Sequence, residues 1–299
     1  MVKKSNLSRK IFVICNTVFL VSFGLLCLFP YVHIFALSLS SSTASSTGQV
    51  FLWPVEFNLT SYEHIIKKPD FMTSFWVSIK RVALGLVVQM IVTVLAAYPL
   101  SKDKATFRAR SVFVWFFVIT MFFSGGLIPT FLIVSSVGLI DSLWALVLPG
   151  ALSVYNMTLL LNFFRNLPKE MEESAFIDGA GHFTILTRII LPTSLPVLAT
   201  VALFITVGHW NAWFDGMIYM SKPQNQPMQT YMKNIVITPD VTKMLGSFSS
   251  SEIVELLKRI SERTLKSAQI FVGALPIMVI YPFLQRFFIK GIVIGSVKG

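Results

Sequence analysis

Four histidines, two cysteines and 14 carboxylates are the residues of this 299-residue chain whose types could do chemistry. Their spacing argues against bond-making. His33, His64, His182 and His209 are isolated. No pair has the His-x-x-x-His interval that puts two imidazoles on one helical face for a metal. Cys15 and Cys27 share the first apolar stretch, too far apart along one helix to bridge, and read as small packing residues. No Gly-x-x-x-x-Gly-Lys-Ser/Thr sequence is present to cradle a nucleotide's phosphates. Asp215 is the one acid inside the apolar stretches, so no carboxylate pair is available there for general acid–base work. No catalytic residue, no metal site and no cofactor of the chain's own are expected.

What remains is chemistry of contact. Trp210, Asn211 and Trp213 lie in one apolar stretch and Asn156 in another. An indole can stack on a sugar ring and an amide can bond its hydroxyls; equally, Trp can pack and Asn can bond a neighbouring helix. A second feature is the polar loop around Glu173–Pro192. Pro168 suits a helix's first turn, where its missing N–H is no loss. Glu170, Glu172 and Glu173 favour the positive end of the helix dipole. Gly179 and Gly181 can end the helix by taking positive φ. Ala175 and Ala180 are small enough for another surface to come close. A further apolar helix follows and is broken at Pro192 and Pro196. By these residues alone the loop is either a part that inserts into a partner or an ordinary amphipathic connector.

The elements that position these residues are set by hydropathy. Mean hydropathy is +0.71. Charged residues make up only 13% of the chain and Phe occurs 27 times, a composition a soluble surface does not tolerate. Six stretches are long and apolar enough to cross a bilayer: Ile11–Leu37, Phe75–Leu100, Ser111–Ser135, Ser142–Phe164, Leu195–Ile218 and Ala268–Phe288. The net charge of +11 is scattered in short runs between them, as the positive-inside rule expects, and not gathered into a patch for nucleic acid. Lys3, Lys4, Arg9 and Lys10 precede the first stretch, which is too long for a signal-peptide core. Lys102, Lys104, Arg108 and Arg110 follow the second. Both termini are therefore expected in the cytoplasm, with the Glu173–Pro192 loop on the same side.

Lys80 and Arg81 are exceptions near the outer end of the second stretch, placed to snorkel or to line an aqueous path. The Ser/Thr-rich stretch from Ser38 to Thr47 reads as a flexible connector. Residues Ser251–Ser267 read as an external amphipathic helix, with Glu255–Arg259 and Glu262–Lys266 at ion-pair spacing. One membrane domain is expected over residues 1–299. Residues 1–74 hold the first span and external connector, 75–290 the core with the loop at 165–193, and 291–299 a cytoplasmic tail.

The loop resembles the EAA motif of binding-protein-dependent ABC permeases: E-A-A, three residues, G, nine residues, I, one residue, L-P. Glu173, Ser174, Ala175, Gly179, Ile189, Leu191 and Pro192 fall in that spacing, with Ser174 a small-for-small departure, and Asp178 fits the Asp-Gly-Ala form common in sugar importers. Other segments agree. LAAYPLSK at 95–102, Trp210-Asn211-Ala212-Trp213 and the GIVIGSVKG ending are similar to maltose-type (MalG-like) permeases. FSGGLIP at 123–129 and LPGA at 148–151 resemble the LplC/YtcP-like branch.

The resemblance implies an all-α type I ABC importer (MetI-like) permease fold in a bacterial cell membrane. It implies that Glu173, Ser174, Ala175, Asp178, Gly179, Gly181, Ile189, Leu191 and Pro192 dock an ATPase. It also implies a second homologous permease, two ATP-binding subunits that hold ATP and Mg, and an extracellular solute-binding protein. The cargo it implies is carbohydrate, most readily oligosaccharide, with a non-sugar solute as the alternative. An ion-coupled secondary transporter would carry more intramembrane acids than Asp215.

Overall fold

Apolar runs of this length satisfy their backbone polar groups internally as helices, and helix is what the computed structural model contains. It describes residues 7–237 and 262–295, and among them no strand occurs. The expected helix at 251–267 therefore lies mostly outside the described residues. The chain divides into two compact units, residues 1–69 with 235–275, and residues 70–234 with 276–299. The assignment of 235–275 to the first unit was not expected from sequence.

In the first unit, α1 (Leu7–Ser38) is about 48 Å long, and its most apolar window has no buried residue. Lipid is the solvent such a surface suits. Cys15 and Cys27 are exposed on it, so they are not the packing residues expected. The Ser/Thr stretch is folded rather than flexible. Ser41 caps α2 (Ser42–Ser46) by accepting from the Ala44 N–H, and Ala44 packs with Ala36, Leu37 and Val50. Then α3 (Thr60–Lys67) ties back through the Tyr62 hydroxyl, 2.6 Å from Ser38 Oγ.

The second unit is built on α4 (Pro69–Ser101). Its buried face runs Phe71, Ser74, Ser78, Arg81, Gly85, Gln89, Thr93 and Ala97, a spacing of three to four residues. Most of these are small or polar, which lets neighbouring backbones approach and bond across, as membrane bundles require. Gly85 shows the closeness: a Cβ there would sit 2.4 Å from His209 Nε2.

Two expected spans are not single straight helices. α5 (Arg110–Phe122) and α6 (Leu127–Ser136) meet at 113°, where Gly126 takes φ +83°. The stretch at Ser142–Phe164 is not one helix but a 3-10 turn (Leu143–Leu146) and α7 (Val154–Arg165). Pro149 and Gly150 between them break the hydrogen-bond ladder, and α7 alone rises about 18 Å.

The loop helix α8 (Glu170–Ile177) leads to α9 (His182–Ile185), a π-turn (Leu186–Ile190) and α10 (Leu191–Thr193). At Ser194 the chain turns 84° into α11 (Leu195–Asn211), between Pro192 and Pro196 as expected. α12 (Phe214–Tyr219), α13 (Met228–Ile237) and α14 (Glu262–Gly295) complete the described chain. By length and composition three helices could cross a membrane, or five if each bent pair is one span, among the described residues.

Candidate functional site

Two places in the second unit bring polar side chains together: the end of α4 with α8, and a cavity farther up α4. At the first, eight residues from Glu170 to Ile177 form a helix whose first turn is acidic. Pro168 stands just outside the helix rather than in its first turn, and its carbonyl accepts from the Met171 N–H. The helix ends by a two-bond cap: the Gly179 N–H donates to Phe176 O (3.0 Å) and the Ala180 N–H to Ala175 O (2.9 Å). This cap needs a left-handed residue, and Gly179 supplies it at φ +80°. Nothing lies within 4 Å of a Cβ built there, so conformation and not space demands the glycine. Gly181 does not share the role: its φ is −78°, and it is the extended residue from which α9 starts.

The expected docking residues divide by exposure. Ala175 is buried among Tyr98, Phe164, Ile185 and Ile190, so its small size serves this chain's own core rather than an approaching surface. Leu191 and Ile189 pack against the same cluster. Glu173, Ser174, Asp178, Gly179, Gly181 and Pro192 are exposed. Sequence reasoning missed the most prominent exposed groups: Ile177 is 87% exposed, Phe183 74% and Phe176 43%. Phe176 is steadied by the His182 ring, edge-on at 5.0 Å. An Ile standing in solvent beside two Phe is a surface suited to a partner, since covering Ile177 alone is worth roughly 1.5–3 kcal/mol.

Two ion pairs fasten this helix to α4. The Lys102 ammonium bonds both oxygens of Glu172 and lies 3.9 Å above the Tyr98 ring. Lys169 Nζ donates to Asp103 Oδ2 at 2.5 Å. Lys169 holds the Asp103 carboxyl below its ordinary range by hydrogen bond and charge, and Asp103 raises the Lys169 ammonium in return. Neither pair was expected, although Lys-Asp at 102–103 and Lys-Glu-Met-Glu at 169–172 carry matching charges.

The second place is a cavity of about 750 Å³. Arg81 and Gln89 of α4, Asn156 of α7, His209 of α11 and Asp215 of α12 are on its wall. Arg81 Nη1 donates to Ala212 O and to Asp215 Oδ1, both at 3.1 Å, and Nη2 bonds the other Asp215 oxygen. Ala212 sits at the break between α11 and α12, so the guanidinium ties that break to α4. A buried charge requires such a partner. Asp215 is the one acid in the apolar stretches, but Lys80 stands beside Arg81, so the sequence offered two cations for it and the fold selects Arg81.

Of the expected path residues, Asn156 lies on the cavity wall, 5% exposed. Trp210, Asn211 and Trp213 do not. Trp210 is buried edge-on to Phe75 at 6.0 Å. Trp213 has the Lys233 ammonium 5.0 Å from its ring centroid, and its carbonyl accepts from Thr230 Oγ1. Asn211 is exposed outside the cavity. Lys80 is exposed beside a second cavity of about 520 Å³ that Asp141 also lines.

Residues 105–292 match the family described as binding-protein-dependent transport system inner membrane component. The chain is similar to Protein LplC of Bacillus subtilis (strain 168), at 38% identity over 97% of this chain and 96% of that one. It is equally similar, at 38% identity, to the polygalacturonan/rhamnogalacturonan transport system permease protein YtcP of the same organism, over 94% of this chain and 96% of that one. Among solved structures, a chain from a bacterial ABC transporter involved in the import of the acidic polysaccharide alginate superposes with a TM-score of 0.84. It is 32% identical and covers 95% of this chain and 99% of that one.

Proposed function

The chain belongs to the binding-protein-dependent transport system inner membrane component family, and from that premise we propose that it is the permease subunit of an ATP-driven carbohydrate importer. Oligosaccharide is the cargo this reading assigns. The names of its relatives support that, since they concern polygalacturonan, rhamnogalacturonan and alginate.

The observation that carries the reading is α8. It is a short, firmly capped helix that leaves Phe176 and Ile177 standing in solvent, with Phe183 of α9 exposed as well, and it is fastened to the end of α4 by Lys102–Glu172 and Lys169–Asp103. A part held so firmly behind and so apolar in front fits the cleft of an ATP-binding subunit. Six membrane passages follow, the fourth made by the 3-10 turn and α7, with both termini and the 165–193 loop in the cytoplasm. A second, homologous permease encloses the other half of the path. Two ATP-binding subunits carry ATP and Mg, and an extracellular solute-binding protein delivers the sugar. When ATP draws the ATPase subunits together, α8 of each permease moves with them. The ion pairs pass that motion to α4, and the path opens outward; hydrolysis resets it. This is alternating access between two states of a packed bundle.

Uptake of labelled oligosaccharide by cells lacking the chromosomal copy tests the proposal. Complementation with the wild-type chain should restore uptake, and Glu173→Lys should not, at equal amounts in the membrane. Full uptake with Glu173→Lys would count heavily against docking at α8.

A further inference from the structure

We propose that the cavity on α4, α7, α11 and α12 is a saccharide site, and that it takes an uncharged pyranose unit through its hydroxyls rather than a uronate through its carboxylate. The inference rests on the permease reading and names what that path would select, which differs from the acidic polysaccharide named for the solved relative. Its volume of about 750 Å³ is in the range of small-molecule sites.

Two kinds of wall meet there. Tyr155 of α7 and Phe204 of α11 have ring centroids 6.2 Å apart and tilted by 44°, both substantially exposed. They form an apolar shelf for the C–H face of a sugar. The wall also carries two amides: Asn156 and Gln89, 5% and 8% exposed, each hold both a donor and an acceptor, the pattern that pairs with a hydroxyl.

Charge decides which sugar. The wall carries one permanent cation, Arg81, and that cation is hidden: its side chain is 2% exposed against 28% for Asp215. Both Asp215 oxygens already hold the guanidinium, which also bonds Ala212 O. An entering carboxylate would meet the Asp215 carboxylate before it met Arg81, and would shed its water with no free cation to replace it. A hydroxyl meets an acceptor instead and donates to it. His209, Tyr155 and Tyr219 are the remaining ionisable groups on the wall. At about pH 8 an ordinary imidazole and an ordinary phenol are both neutral, so they leave the balance unchanged.

The complete complex of this chain, its partner permease and the ATP-binding subunits, in lipid nanodiscs at about pH 8, provides the test. Saturation-transfer NMR is recorded with α-1,4-linked galactopentaose and α-1,4-linked pentagalacturonate, which differ at C6: a hydroxymethyl in the first, a carboxylate in the second. Transfer to galactopentaose is expected to exceed transfer to pentagalacturonate. Asn156→Leu and Phe204→Ala are each expected to lower the galactopentaose signal about fivefold, the loss of one hydrogen bond or ring contact. Asp215→Asn removes the shielding carboxylate and is expected to raise the pentagalacturonate signal. Equal or greater transfer to pentagalacturonate in the wild-type complex overturns the proposal, as does transfer to neither sugar. So does a galactopentaose signal that both Asn156→Leu and Phe204→Ala leave unchanged. Co-purification of the ATP-binding subunits is scored separately: its failure overturns the permease reading, whereas its success with failed sugar transfer overturns the site alone.

Discussion

Lys102, at the C-terminal end of α4, is ion-paired with Glu172, in the first turn of α8, across 70 residues of sequence. Both side chains are mostly buried, at 12% and 20% exposure. The same helix carries Arg81, 21 residues earlier, and therefore roughly 30 Å away along one continuous rod. The α8 helix and the cavity on α4, α7, α11 and α12 are thus joined through α4.

Reversing that pair one residue at a time should uncouple the importer. Lys102→Glu sets two carboxylates against each other beside the Tyr98 ring. Losing a charge-assisted bond is worth ~1.5–3 kcal/mol, so cargo-stimulated ATPase should fall about tenfold or more. The double change Lys102→Glu with Glu172→Lys should recover much of it. A double variant no better than either single one would show that the pair does not transmit.

Gly179 tests conformation against bulk. Its φ of +80° with open space around it means that a side chain fits but the backbone is strained, by ~1–2 kcal/mol for an ordinary residue. Gly179→Leu should loosen the end of α8 and depress cargo-stimulated ATPase while the protein still reaches the membrane. Gly179→Asn, which tolerates the left-handed region, should retain more activity. Equal losses in both would mean that contact with the partner, not the cap, requires glycine.

Ile177 is expected to be the anchor of the ATPase contact. At 87% exposure it contributes almost nothing to this chain's own core. Ile177→Asp should leave the permease folded and weaken ATPase binding by about thirtyfold, the scale of a buried hot-spot residue at ~2 kcal/mol. Pull-down with titrated ATP-binding subunit reads this directly. Unchanged binding would move the docking surface elsewhere.

The Asp103–Lys169 pair is expected to stay charged through the physiological pH range. Asp103 is shifted down from 3.8, so its share is present above 3.8 and lost as pH falls through the lowered value. Lys169 is shifted up from 10.5, so its share is present below 10.5 and lost as pH rises through the raised value. A carboxyl-labelled Asp103 should titrate below 3.8 and return toward it in Lys169→Ala. A wild-type midpoint at or above 3.8 would refute the pair.

The sequence carried the parts that depend on local rules. Hydropathy located the apolar stretches, and the glycine after Asp178 announced the end of α8, because a left-handed cap is a one-residue requirement. Direction was not legible. Hydropathy reports composition along the chain, not the 113° turn at Gly126 or the 84° turn at Ser194. Which face of a short helix turns inward was hidden too, so Ala175 read as a contact and Ile177 was passed over. Trp210 has the composition of a sugar contact, but Phe75, 135 residues away, covers it. Asp215 stood out as a lone acid, but Arg81 stood beside Lys80; only folding shows which cation it meets.

Reconstitution in proteoliposomes tests the central claim most directly: this chain and its partner permease, with the solute-binding protein and labelled oligosaccharide, with and without the ATP-binding subunits. The account expects accumulation only when the ATP-binding subunits and ATP are both present, and its loss with Ile177→Asp. Accumulation that persists without any ATP-binding subunit would contradict it.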